Sequence, residues 1–302
     1  MTTSTDTHTH TRGVGAGARQ ALLTGLPVTE RRLSAGGTST AVLEGGEGSP
    51  LVLLHGPGAY GASWLRVMPA LATSHRVIAP DLPGHGTSSF PDGGFDAGRT
   101  LTWLEELIEQ TCSTPPIVVG QLAGGALAAR FAADHPDRLE RLILVVPFGL
   151  APFEPTPAFG AALTGYLTQP SERTHEELWN QCVFDLEGLS QQPETRWEQL
   201  KAYNLELAGS GGAGAAIQAL MDTFGWAAVP DDVLARIATP TSLIWGRHDS
   251  IVPLAVGEAA SSRYGWPLRV IENAGNEPAY EVPDAFIQAL HEPAARPGRS
   301  ES

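Results

Sequence analysis

The chain has 302 residues, with 33 Asp or Glu against 19 Lys or Arg, and a formal net charge of −14. That acidity argues against nucleic acid and anionic membrane surfaces as partners, and no apolar run is long enough to span a bilayer. Two cysteines, Cys112 and Cys182, make neither a disulfide framework nor a metal motif, so a reducing cytoplasm is the expected compartment.

Residues 1–26 are rich in Thr, Gly and His and lack the basic start and apolar stretch of a secretory signal, which predicts a disordered tail. Strand-like apolar runs then alternate with amphipathic helical patterns, the signature of βαβ units and a mostly parallel sheet. Residues 29–34 and 38–44 read as an opening hairpin, 51–54 as a buried strand ending at His55-Gly56, and 64–72 as a helix. Residues 76–79 form a strand that runs into Asp81-Leu82-Pro83-Gly84-His85-Gly86. A helix over 100–111 carries its apolar stripe at Leu101, Leu104, Leu107 and Ile108. A strand at 117–119 meets a small-residue helix at 124–133, and 142–146 is a further strand. From 149 to 230 no buried-strand run occurs. Helical stretches rich in Trp, Tyr and Ala, broken at Pro170, Pro193 and 209–214, predict a helical cap. The alternation resumes with a strand at 242–245, a helix at 254–264, a strand at 268–271 and a last helix at 283–291. The expected division is a core of 27–148 and 231–292, a cap of 149–230, and a second disordered tail at 293–302.

Five landmarks occur in order: Leu53-Leu54-His55-Gly56, the Asp81 to Gly86 run, Gly120-Gln121-Leu122-Ala123-Gly124, Gly246-Arg247-His248-Asp249, and Ala274-Gly275-Asn276-Glu277-Pro278. On these the chain resembles the α/β-hydrolase superfamily. Within it, Gly58 to Trp64 is most similar to the lidded meta-cleavage-product hydrolases. The resemblance implies an α/β fold with a mostly parallel eight-stranded sheet flanked by helices, and a helical cap.

The resemblance also assigns chemical positions. The elbow G-x-S-x-G carries its nucleophile at the apex, and here the apex is Leu122, which has no lone pair to attack a carbonyl. The base position, where relatives carry Gly-His-x-Pro, holds Asn276, whose carboxamide does not titrate near neutrality. The acid position holds Asp249, which either bonds the Asn276 amide or caps the helix after Pro253. The oxyanion hole implies the backbone N–H of Ala123 and of the residue after His55-Gly56. That residue is Pro57, which has no N–H, leaving Gly58 as a substitute if the loop shifts. Tyr60 and Ser63 sit on the loop that lines the pocket in relatives, or serve as turn and helix-start residues. Gln121 presents its amide to the pocket or bonds the neighbouring loop. His85 and His55 read as loop-bracing residues, and His248 as a residue pointing away.

Three altered parts together predict a chain that has stopped performing acyl transfer. The leading expectation is a cofactor-independent cyclase, isomerase or lyase acting on a hydrophobic oxygenated small molecule, with Asp249, Asn276 and Gln121 as catalytic groups and Asp249 the one titrating member. Leu122, Ala123, Pro57, Gly58, Tyr60 and Ser63 would bind substrate. The alternatives are a non-catalytic small-molecule receptor and a hydrolase with displaced catalytic residues. No cofactor or metal motif is present, and a monomer or homodimer is expected.

Overall fold

A computed structural model describes residues 16–91 and 94–293. Helix α1 (Ala16–Leu23) precedes the hairpin β1 (Thr29–Ala35) and β2 (Thr38–Gly45). Then come β3 (Ser49–Leu54), β4 (His75–Pro80), helix α2 (Ala97–Thr111), β5 (Ile117–Gln121), helix α3 (Leu122–Asp134) and β6 (Arg141–Val145). Four longer helices follow: α4 (Pro157–Thr168), α5 (Glu172–Cys182), α6 (Trp197–Gly209) and α7 (Ala213–Phe224). The chain returns to the sheet with β7 (Thr241–Gly246), α8 (Leu254–Tyr264), β8 (Leu268–Ile271) and α9 (Pro283–His291).

The eight strands form one sheet in the order β1-β2-β4-β3-β5-β6-β7-β8. β2 pairs antiparallel with both neighbours, and every other pairing is parallel. Register runs through Leu53, Val119 and Ile143 across β3, β5 and β6. All five residues of β5 and all six of β7 are buried. A parallel strand covered on both faces requires such an unbroken apolar run. α4 to α7 lie between β6 and β7, and together with the loops beyond β3, β5, β7 and β8 they enclose a cavity. No helix among the described residues is long and apolar enough to cross a membrane.

Two expectations need correction. The tail predicted over 1–26 holds a helix from Ala16. Its Arg19 and Leu22 are buried, and Arg19 meets Glu30 at 2.6 Å and Asp81 at 3.1 Å. A short Gly-rich segment reads as a tail because its anchoring partners lie far along the chain. The single helix predicted over 64–72 is instead a 3-10 turn, Gly61–Trp64, and a separate short helix, Met68–Leu71. Pro69 has no N–H to bond backward, which is tolerated only in a first turn, so a new helix starts at Met68. The tail predicted at 293–302 lies, from 294 on, outside the described residues.

Candidate active site

The turn from β5 to α3 is sharp. Leu122 has φ 48, a left-handed conformation that is strained for a side chain larger than glycine. The strain is imposed by close packing. A Cβ at Gly120 would lie 2.6 Å from the Gly124 carbonyl oxygen, and one at Gly124 would lie 2.5 Å from that of His55. Only glycine lets β5, α3 and the loop after β3 approach so closely. Leu122 is thereby held at the cavity floor, with Cδ1 2.9 Å from where a Cβ on Gly56 would stand.

Three loops meet behind that floor. Asp249, after β7, is buried. Its Oδ1 accepts from the N–H groups of Ile251 (2.8 Å) and Val252 (2.9 Å), and its Oδ2 from Asn276 Nδ2 (2.9 Å). Of the two readings of Asp249, the bond to Asn276 holds; the helix from Leu254 has no side-chain cap, and the other Asp249 oxygen ties its own loop instead. Asn276, after β8, lines the cavity, and its own N–H bonds the Cys182 carbonyl at 2.7 Å. Burial pushes the Asp249 carboxyl up to about 6, against the pull of its three donors.

The expectation that Asp249 is the one titrating group does not hold. Glu277, the next residue after Asn276, also lines the cavity. Its Oε2 accepts a single hydrogen bond, from Gln121 Nε2 at 2.9 Å. Burial, reinforced by the charges of Glu281 and Asp249, lifts its carboxyl to about 7. Glu281 lies just behind and is also lifted to about 7 by burial. It is engaged by three backbone N–H groups, those of Gly275, Glu277 and Phe184. No described Lys or Arg forms an ion pair with Asp249, Glu277 or Glu281. The same surroundings push the Cys182 thiol well up, burial first and then Glu277, so it stays protonated.

Two further corrections concern the elbow. Gln121 does not face the cavity: its amide nitrogen is spent on the Asn276 carbonyl (3.0 Å) and on Glu277. Ala123 is fully buried and is not part of the cavity wall, which Leu122 covers at that point. Pro57 and Gly58 do line the cavity. Gly58 has φ +75, and its N–H has no hydrogen-bond acceptor among the described residues.

At the cap end, Tyr60 and Ser63 line the cavity. Ser63 Oγ also accepts from the Tyr60 N–H, so the turn reading holds for it as well. The Tyr60 hydroxyl donates to Asn204 Oδ1 at 2.8 Å, and Asn204 Nδ2 bonds His175 Nε2 at 3.0 Å. Of the cap aromatics, Phe153, Phe159, Tyr166, Trp179 and Trp226 line the cavity, while Tyr203 and Phe224 pack in the core.

The histidines stand away from this chemistry. His55 Nε2 accepts from the Leu82 N–H and its Nδ1 bonds the Gly56 carbonyl. Burial, with His85 beside it, holds its pKa well below the ordinary value. His85 Nδ1 bonds the Pro83 carbonyl. His248 is exposed and stacks on Phe184 at 4.1 Å. No described histidine lines the cavity. Sequence reading missed Glu277, although it lies inside a quoted landmark. The available signal was an acid set between Asn276 and Pro278, next to the position where relatives carry their base.

The cavity has a volume of about 420 Å³, the size of a small-molecule site. Known proteins share this frame. The alpha/beta hydrolase family matches residues 51–289. The chain is 31% identical over 265 residues to the pimeloyl-[acyl-carrier protein] methyl ester esterase of Aeromonas hydrophila, covering 83% of this chain and 98% of that one. It is 30% identical over 229 residues to the 2-hydroxy-6-oxo-2,4-heptadienoate hydrolase of Pseudomonas putida, covering 74% and 80%. Among solved structures, the 2-hydroxy-6-oxo-6-phenylhexa-2,4-dienoate hydrolase of a Rhodococcus species superposes with a TM-score of 0.76 at 25% identity, over 87% of this chain and 97% of the other. The family match over residues 51–289 and relatives at 30% identity or more across most of the chain establish that this chain belongs to the alpha/beta hydrolase family.

Proposed function

We propose that this protein is a proton-transfer catalyst, an isomerase, lyase or cyclase acting on a hydrophobic oxygenated molecule, and that Glu277 is its acid or base. The observation that carries this reading is the Glu277 carboxyl, which opens into an apolar cavity with its pKa raised to about 7 and a single donor upon it. A carboxyl poised near operating pH can both take and return a proton. Leu122 at the turn supplies no nucleophile, and Asn276 beside Asp249 supplies no base. The alternative of displaced nucleophilic catalysis has weaker support, because Ser63 and Cys182 face the cavity without a histidine.

Each residue then has a task. Gln121 is a positioning residue that fixes the Glu277 carboxyl from behind the wall. Asn276, itself oriented by Asp249, offers hydrogen bonding to a substrate oxygen. The Gly58 N–H is a donor for an oxyanion or enolate, replacing the one that Pro57 lacks. Leu122 keeps the floor dry, which holds Glu277 near neutrality.

The test needs no natural substrate. 5-Nitrobenzisoxazole undergoes Kemp elimination when a carboxylate removes its C3 proton and the N–O bond opens to the cyanophenolate. The expected result is a saturable rate that rises with pH and levels off above about pH 7, as Glu277 ionises. Alongside it, p-nitrophenyl butyrate hydrolysis and fluorophosphonate labelling are expected at background, in the wild type and in Leu122→Ser alike. Stoichiometric fluorophosphonate labelling would overturn the reading in favour of a displaced serine hydrolase. Saturable binding without elimination would favour a receptor.

A further inference from the structure

The charge of the cavity wall constrains what it can hold. Its ionisable members are Glu277, the Cys182 thiol and tyrosines, and no Lys, Arg or His lines it among the described residues. The nearby cations stand behind the wall or away from it, and none pairs with its carboxyls. Arg66 donates to the carbonyls of Tyr280 and Glu281, Lys201 meets Glu172, Glu176 and Glu198, and Arg19 meets Glu30 and Asp81. Behind the wall stand two more carboxyls, Asp249 and Glu281, with no cation paired to either. An anionic group entering this space would lose its hydration, gain no counter-ion and face up to three like charges.

Two pairs of polar groups stand out in a mostly apolar cavity that Ser63, Thr164, Tyr166 and Gln218 also line. One is Glu277 with Asn276. Glu277 Oε1 accepts no hydrogen bond from the described residues. The other is the Tyr60 hydroxyl with Asn204, presented by the loop after β3 and by α6.

We propose that the ligand is an uncharged or singly cationic apolar molecule that delivers a hydroxyl or amine hydrogen to Glu277, and that the cavity rejects carboxylates and phosphates. This rests on the assignment of the cavity as the ligand site, yet it concerns binding alone. The groups that face Glu277 are Gln121 from the β5 turn, Asn276 and Glu281 from the loop after β8, Asp249 from the loop after β7 and Cys182 from α5. None of them is a cation.

Three probes with one apolar body test it: 6-phenylhexan-1-ol, 6-phenylhexylamine and 6-phenylhexanoate, titrated calorimetrically into the full-length protein at about pH 8, where Glu277 is ionised. The carboxylate is expected to bind at least about tenfold more weakly than the alcohol, and the amine at least as tightly as the alcohol. In Glu277→Gln the gap between carboxylate and alcohol is expected to narrow to within roughly threefold, with the amine losing its advantage. A carboxylate that binds wild type as tightly as the alcohol overturns the charge rule and leaves the Kemp reading intact. A gap that persists unchanged in Glu277→Gln overturns it too, since the discriminating group would lie elsewhere. If none of the probes binds, the cavity is not the ligand site and both readings fall.

Discussion

Two places in this molecule bury carboxylates, and they do so in opposite ways. Near α1, Asp81 accepts the N–H groups of Gly61 (2.7 Å) and Thr87 (2.8 Å) and lies 3.1 Å from Arg19. Arg19 also binds Glu30, donates to the Tyr203 hydroxyl of α6 and stands over its ring. That guanidinium is held firmly charged, with its neighbouring anions outweighing the cost of burial. At the cavity floor, Asp249, Glu277 and Glu281 lie close together with no described Lys or Arg paired to any of them, and burial lifts each of them toward neutrality. A buried carboxylate matched by a cation and by N–H donors serves as a fastener between α1, the sheet and the cap. An unmatched one becomes a group that exchanges protons near pH 7.

The largest effect should come from the unmatched cluster. Glu277→Gln keeps the shape and the Gln121 contact but removes the proton acceptor. The Kemp rate is expected to fall by about 10² to 10⁴-fold. Circular dichroism should show the variant folded, so a retained rate would place the base elsewhere.

The matched cluster responds in stability. Arg19→Met leaves the buried Asp81 without its cation and removes the partner of the exposed Glu30, and urea unfolding should show a loss of about 3 kcal/mol. The chemistry at Glu277 should change by no more than a few-fold. A loss below about 0.5 kcal/mol would mean that the hub is dispensable and the contrast between the regions is false.

The pH dependence sharpens the comparison. Glu277 has a folded pKa of about 7 and an ordinary value of 4.5. Between those values the folded state holds a proton that the unfolded chain has released, so its contribution to stability declines as pH rises through that window and is constant above it. His55, His85 and His175 have lowered values and act in the opposite direction, gaining as pH rises toward 6.5. The informative quantity is therefore the difference in melting temperature between Glu277→Gln and wild type. The variant is expected to gain on the wild type from about pH 4.5 to about pH 7, then to hold a constant lead. A flat difference would mean that Glu277 titrates normally.

The smallest effect is expected from Asp249→Asn. Asp249 does not line the cavity, so the rate at saturating pH should stay within a few-fold of wild type. Its charge is one of the influences that raise Glu277. Removing it should move the inflection of the Kemp profile to lower pH by less than about one unit. Loss of the rate with unchanged probe binding would return the proton-transfer role to Asp249.

The sequence by itself determined the frame. Alternating apolar strands and amphipathic helices specify a mostly parallel sheet, because side-chain periodicity is a local property that the chain carries with it. Gly120, Gly124 and the leucine between them marked the turn, since close backbone approach leaves a glycine signature. Leu122 and Asn276 were equally legible, being identities at fixed places in ordered landmarks. What tertiary structure decided was electrostatic. Whether Gln121 turns to the cavity or to the loop after β8 depends on a contact 155 residues away. That Glu277 rather than Asp249 opens into the cavity depends on how three loops stack, as does the lift that burial and the charges of Asp249 and Glu281 give it. The anchoring of α1 by Asp81 and Tyr203 has the same origin. Burial and charge coupling are set by neighbours distant in sequence, and no local pattern records them.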